Sequence, residues 1–125
     1  MASDVKGAFF NATKRRYDNV EVPLLGQVRI RSLTAGEIRA WRERITASEG
    51  AELQYANELL VAAAVVDDAG DRVFSDEDAT SQLFADLDGA AFSVLAKAVR
   101  KHTNVEADPD WKAIEAAAKN SEATG

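Results

Sequence analysis

The segment that most constrains the fold is an apolar stretch in the middle of the chain. From Ala51 to Val66 apolar residues recur at helical spacing, and after Glu58 they occupy nearly every face. A helix that is apolar all round has to be buried by the rest of the chain. The run Leu59 to Val66 is too short to cross a bilayer, which takes roughly 20 residues. The sequence therefore predicts a buried central helix over 51–66 and no membrane segment.

A second helix is predicted immediately after Thr34. Thr34 and Glu37 match a capping box, in which each side chain accepts a hydrogen bond from a backbone amide at the helix start. Ile38, Trp41 and Ile45 follow at spacings of three and four. These spacings indicate a helix with one apolar stripe and otherwise charged faces.

Two short strands are predicted before this helix. Apolar and polar residues alternate with a period near two over Arg16–Pro23 and again over Gln27–Leu33. Pro23 to Gly26 is a plausible hairpin connection, because proline ends a strand and glycine accepts positive φ. A two-stranded hairpin is marginal alone, so it must pack on the helices.

The part of the chain after the central helix reads as a turn and three helices. Asp67 to Asp71 is rich in turn residues, and Ser75 is a good N-cap for a helix that opens with three acids. Ala90–His102 and 110–119 show helical patterns separated by a polar linker. The expected apolar faces are Leu83, Phe84 and Leu87 in the first helix and Phe92, Leu95, Ala96 and Val99 in the second.

These patterns together predict a mainly α protein, a compact helical domain of four to five helices with a short N-terminal β-hairpin. We divide the chain into an N-terminal arm (1–15), a hairpin plus helical core (16–104), and a linker, C-terminal helix and loose tail (105–125). The 125 residues allow one domain of ordinary size.

Composition limits the chemistry that the chain can perform. There is no cysteine, which removes disulfides and thiolate sites and fits a reducing compartment such as the cytoplasm. The net charge is −6, and an acidic chain is poorly suited to sequence-independent nucleic-acid binding. The basic cluster Lys14 to Arg16 is more often a solvated edge than a contact with an acidic partner.

No motif for catalysis or for a cofactor emerges. Asp67, Asp68, Gly70 and Asp71 do not match the spacing of a calcium loop and are better explained as a turn. His102 is the single histidine, and its place near a helix end suits a surface or capping role. We predict that the protein is not an enzyme and binds no metal or cofactor.

Two pairs of apolar residues lie outside the expected core. Phe9 and Phe10 lie near the N-terminus, and Trp111 and Ile114 near the C-terminus; each pair either packs onto the domain or is left exposed. Exposed aromatic residues are favoured at the centres of interfaces. The candidate partner-binding residues are Phe9, Phe10, Trp41, Trp111 and Ile114.

The order of features resembles a known family. A hairpin over Val20–Pro23 and Val28–Glu37, an alanine-rich helix running into Val65–Asp78, and then Leu87–Ala91 are similar to the tail assembly chaperones of siphovirus-type bacteriophages and prophages. The similarity covers roughly residues 18–105.

This resemblance implies a helical protein that associates with itself and binds the tape measure protein, the long chain that sets tail length. Such chaperones keep that client soluble until tail tube subunits polymerise around it, and they are absent from the finished virion. Many family members also have a longer form made by translational frameshifting, for which Lys119-Asn120 is a candidate site. Asn104 is the counterpart of an asparagine that family members usually carry.

Two other functions stay open from the residues alone. A DNA-binding regulator would use the basic N-terminal third, although base-reading side chains are missing from the helix that begins at Ala90. A structural head-tail connector would remain in the virion. We expect a protein of the bacterial host cytoplasm that contacts the tape measure protein and possibly the tail tube, without nucleic acid or membrane.

Overall fold

The computed structural model describes residues 2–105 of the chain, and the side chains from residue 4 onward. The fold class is as predicted: within this range five helices follow an antiparallel β-hairpin, and the protein is mainly α. The elements are α1 (Ala2–Asn11), β1 (Tyr17–Val22), β2 (Gly26–Arg31), α2 (Ala35–Ala47), α3 (Ala56–Ala64), α4 (Asp76–Ala79), α5 (Gln82–Asp86) and α6 (Gly89–Thr103).

The hairpin is held to the helices through its buried face. Val20 pairs with Val28, and Val22 and Ile30 lie on the same face of the hairpin, whereas Tyr17, paired with Arg31, lies on the opposite face. Ile30 is fully buried and also forms an isolated bridge with Val65, just beyond α3. The hairpin therefore gains from the helical core the packing that two strands lack by themselves.

Helix α2 begins as its capping box predicts. The backbone N–H of Glu37 donates to Oγ1 of Thr34 over 3.1 Å, and the N–H of Thr34 donates to Oε1 of Glu37 over 2.8 Å. Ile38, Trp41 and Ile45 are the buried residues of this helix. The predicted apolar stripe is confirmed.

The central helix is shorter than predicted. Residues 53–55 form one turn of 3₁₀ helix, and α3 covers only Ala56–Ala64. Beyond it the chain is extended, because the N–H of Val66 donates to the carbonyl of Arg29 in β2. Pairing with the hairpin competes successfully with helix formation at two β-branched residues.

The helix predicted after Ser75 is divided into two. Ser75 caps α4 as expected, but α4 ends at Ala79 and a separate helix starts at Gln82. The hydroxyl groups of Thr80 and Ser81 donate to the carbonyls of Glu77 and Asp78, a local alternative to the helical bonds. As a result Phe84 is buried. Leu83, which was predicted to lie on the apolar face of the helix, is instead 56% exposed.

Helix α6 extends one residue beyond its predicted range at each end. Its stripe packs on α3 with Leu95, Ala96 and Val99 buried. Asn104 follows with φ +65, a left-handed conformation that asparagine tolerates better than most residues. Asn104 thus terminates the helix.

The N-terminal arm differs from the sequence-based description because it contains helix α1, which the sequence analysis did not anticipate. Every described side chain of α1 is exposed. None of the helices in residues 2–105 is long and apolar enough to cross a membrane. The predicted helix over 110–119, with Trp111 and Ile114, lies outside the described residues.

Candidate partner-binding surfaces

Helix α1 carries the first pair of candidate residues. Phe9 is 72% exposed and Phe10 66%, and Val5, one turn before Phe9, is 61% exposed. Residues four apart lie on one helix face, so Val5 and Phe9 form a short apolar stripe. The structure therefore leaves Phe9 and Phe10 accessible, as a partner-binding role requires.

The tip of the hairpin is a second apolar surface, and the sequence analysis missed it. The carbonyl of Val22 accepts a hydrogen bond from the N–H of Leu25 over 3.1 Å, which closes a β-turn through Pro23 and Leu24. Leu24 has φ +71 and is 83% exposed, and Leu25 is 47% exposed. The third position of such a turn normally holds glycine or asparagine. The feature of the sequence that could have indicated this surface is a leucine directly after the proline of a tight turn.

Trp41 is not a surface anchor. It is 8% exposed, and its indole Nε1–H donates to the carbonyl of Ala56 over 3.0 Å, next to the first turn of α3. The ring of Trp41 therefore does not project from the surface, and what it offers to a partner is limited to the wall of the cleft that it lines. The remaining two candidates, Trp111 and Ile114, fall outside the described residues.

A cleft of about 200 Å³ lies beside Trp41, between α2 and α3. Its floor is apolar, and three guanidinium groups and two carboxylates surround its mouth. The floor is formed by Leu33, Ala40, Trp41, Leu59, Leu60 and Ala63, and the mouth by Arg31, Glu37, Arg44, Arg72 and Asp76. This arrangement suits an apolar side chain flanked by polar groups.

Glu37 organises one side of the mouth. Arg15, the last residue of the arm, donates two hydrogen bonds to the Glu37 carboxylate at 2.6 and 2.9 Å, and Arg31 approaches it to 3.4 Å. The bonds from Arg15, assisted by the Thr34 amide, lower the pKa of Glu37 to about 2. Burial lowers the pKa of Arg31, and the nearby charge of Arg15 adds to the effect.

The other side of the mouth is a second ion-pair cluster. Arg44 donates to both carboxylate oxygens of Glu52 at 2.9 and 3.0 Å, and also contacts Asp76 at 3.3 Å. Arg72 donates to the other carboxylate oxygen of Asp76 at 2.9 Å. The cluster ties α2 to the start of α4 and keeps the mouth in one arrangement.

Asp67 and His102, which the sequence analysis considered for metal binding or catalysis, take part in contacts that stabilise the fold. Oδ1 of Asp67 accepts the backbone N–H groups of Ala69 and Asp71, as in an ordinary turn. The carbonyl of His102 accepts a hydrogen bond from Arg16 over 2.9 Å, so this part of the basic cluster fastens β1 to the end of α6. In the part of the chain that the structure covers, no three His, Asp or Glu side chains are grouped to hold a metal ion.

Comparisons of the chain with protein-family models, with curated proteins and with solved structures found no match.

Proposed function

We propose that this protein is a phage tail assembly chaperone that acts by binding and not by catalysis. Its client is the tape measure protein, which it keeps soluble in the host cytoplasm until tail tube subunits polymerise around it. The chaperone then leaves and is absent from the virion. The pattern of hairpin, alanine-rich helix and the Asp-Gly step at residues 88–89 supports the assignment to this class.

The observation that carries the proposal is the leucine at the hairpin tip. A residue that only had to form the turn at position 24 would be glycine or asparagine, because positive φ costs other side chains about 1 kcal/mol or more. Leu24 bears that cost and is also the most exposed of the large apolar residues described. Positive φ and high exposure at the same leucine together favour a role for its side chain in contact with another molecule.

The chemistry of the client fits this surface. A tape measure protein is largely long helix with apolar stretches, which aggregate unless another apolar surface covers them. Leu24 and Leu25 are adjacent exposed residues at the hairpin tip and suit the apolar face of such a helix. Each contact is small, so binding by many copies gives affinity that is still reversible. The net charge of −6 helps the coated client to stay dispersed.

Co-expression with the tape measure gene tests the proposal. The wild-type chain should raise the soluble yield of the tape measure protein, and Leu24→Asn should bring that yield back toward the level without the chaperone. The same substitution should leave the unfolding free energy of the chaperone unchanged or raise it by up to about 1 kcal/mol, since asparagine tolerates positive φ. Urea unfolding measures the stability.

Val94→Asn is the matched control, because Val94 is an exposed apolar residue on α6 and does not belong to the hairpin tip. It should leave the soluble yield of the client unchanged. An unchanged client yield with the Leu24 variant would contradict the role of the tip. A salt-sensitive shift of labelled DNA, or the presence of the protein in purified particles, would identify the regulator or the connector instead.

A further inference from the structure

A second cavity, of about 210 Å³, lies between the start of α3 and the junction of α4 with α5. Tyr55 and Glu58 line it from the side of α3, and residues 79–82 line it from the junction. We call this cavity the Glu58 pocket. Ala79 is buried whereas Thr80 is exposed, so the pocket reaches from the core to the solvent.

Glu58 brings an unpaired charge into this pocket. It is partly buried, and burial raises the pKa of its carboxyl group, while a hydrogen bond with its own backbone opposes the rise. Among residues 4–105, no lysine or arginine forms an ion pair with Glu58. A partly desolvated carboxylate without a cation lowers the stability of a fold. The described part of the chain therefore carries at position 58 a charge that it does not compensate.

Two hydroxyl groups of the pocket are left as hydrogen-bond acceptors. The hydroxyl of Thr80 donates to the carbonyl of Glu77 at 3.2 Å, and the hydroxyl of Ser81 donates to the carbonyl of Asp78 at 2.6 Å. A hydroxyl has a single proton, so both oxygens keep only their lone pairs for another molecule. The residues that line the pocket thus combine one negative charge with neutral acceptor oxygens.

A primary ammonium group matches these acceptors, because it carries one positive charge and three N–H donors in a compact arrangement. A guanidinium group matches less well, since its planar fork suits the two oxygens of one carboxylate and leaves the hydroxyl oxygens unused. A divalent metal ion needs more charged ligands, and no three His, Asp or Glu side chains of the described residues are grouped to hold one. Tyr55, Ala79 and Ala85 also line the pocket and suit the alkyl stem of a lysine.

We propose that the Glu58 pocket binds the ammonium group of a lysine side chain from a partner protein, with the carboxylate of Glu58 as its counter-ion and the hydroxyl oxygens of Thr80 and Ser81 as further acceptors. A free diamine such as putrescine fits less well, because none of the other described residues that line the pocket carries a second carboxyl group for its other end. This assignment does not depend on the proposed chaperone function, because the pocket and its test involve no client.

An NMR titration of the ¹⁵N-labelled full chain tests the site, with a short blocked peptide that has one lysine between two alanines as the probe. We expect shifts in the amide signals of residues 55–58 and 79–82, and a dissociation constant on the order of a millimolar, as one side chain provides. The same peptide with norleucine in place of lysine keeps the alkyl stem without the charge and should not bind. A peptide with arginine should bind about threefold more weakly or worse.

Glu58→Gln keeps the shape of the side chain and removes its charge. It should weaken binding of the lysine peptide about tenfold or more. It should also leave the urea midpoint of unfolding at pH 7 unchanged or higher, because an uncompensated charge is removed. Glu77→Gln is the matched control, since Glu77 is an exposed acid of α4 that does not line the pocket, and it should change the affinity by less than about twofold.

An equal loss of affinity in the two variants would overturn the proposal, because attraction by the negative charge of the whole surface would explain the binding. Absence of binding to the wild-type chain, equal binding of the norleucine peptide, tighter binding of putrescine, or a lower urea midpoint for Glu58→Gln would also overturn it. So would binding that requires Lys112→Gln and Lys119→Gln, since a lysine of the same chain would then be the occupant.

Discussion

Glu37 is the residue at which a helix cap and two ion pairs meet. Its carboxylate accepts the Thr34 amide and holds Arg15, and Arg31 lies nearby. A single substitution there removes a cap and releases the root of the arm together. Because the charged carboxylate of Glu37 makes both the cap and the ion pairs, the stability of the protein should depend on pH.

Glu37→Gln should reduce the unfolding free energy at pH 7 by about 1–2 kcal/mol. The pKa of Glu37 is about 2 in the folded protein, below the ordinary 4.5, so the charged form favours folding. That contribution is complete above about pH 4.5 and is lost as pH falls toward 2. The shift alone would correspond to about 3 kcal/mol, which solvent screening of a side chain one-third exposed reduces.

Urea unfolding of the wild type and Glu37→Gln at pH 7, 4.5 and 3 measures this difference. The two proteins should converge in stability as the pH is lowered. Glu43→Gln, on the exposed face of α2, is the control and should change stability by less than about 0.5 kcal/mol. A difference between wild type and Glu37→Gln that stays constant over this range would contradict the role of the charge.

Gly70→Ala should destabilise the protein by about 1–2 kcal/mol. Gly70 has φ +87, and a Cβ atom there would lie 3.1 Å from the hydroxyl oxygen of Tyr17. A shift of Tyr17 away from the new Cβ atom would disturb its contact with Arg29, whose guanidinium lies 4.5 Å from the ring centre. Gly36→Ala, a helical position with no atom nearer than 3.9 Å, should be neutral or slightly stabilising. Thermal unfolding compares the two.

At the scale of elements, the capped starts of α2 and α4 were predictable and the end of α3 was not. Thr34 and Ser75 cap α2 and α4 through bonds to the residue three positions later, an interaction visible in a four-residue pattern. The end of α3 depends on Val66 pairing with Arg29, 37 positions earlier in the printed sequence. No local pattern contains that information.

Thr34→Ala should cost about 1 kcal/mol of stability, because the N–H of Glu37 loses its acceptor at the start of α2. Thr46→Ala, an exposed position in the same helix, should be neutral or slightly stabilising, since alanine is the better helix former. Chemical denaturation followed by far-ultraviolet circular dichroism measures both. Equal losses in the two variants would show that the effect is not one of capping.

At the scale of the whole molecule, Ile30 joins the hairpin to the helical core. It is fully buried in β2 and bridges to Val65 beyond α3. Around the other end of the core, the rings of Phe74 and Phe92 pack edge-on against Phe84 at 5.1 and 6.5 Å. Strands and helices therefore share one core and should unfold together.

Ile30→Ala should lower the unfolding free energy by about 2–5 kcal/mol, as expected for a large side chain removed from a close-packed site. Tryptophan fluorescence and circular dichroism should report one coincident transition at a lower urea concentration. Asn19→Ala, exposed on the neighbouring strand, should change stability by less than about 0.5 kcal/mol. Two separate transitions would mean that the hairpin is not part of the core.

The sequence by itself determined the features that short-range interactions decide: the hairpin alternation, the helix caps at Thr34 and Ser75, and the apolar stripe of Ile38, Trp41 and Ile45. Only the tertiary structure decided which apolar side chains are covered. Trp41 is buried while Phe9 is exposed, and Phe84 is buried while its neighbour Leu83 is not. The physical reason is that burial depends on what another part of the chain places against a side chain, whereas capping and alternation depend on a few adjacent residues.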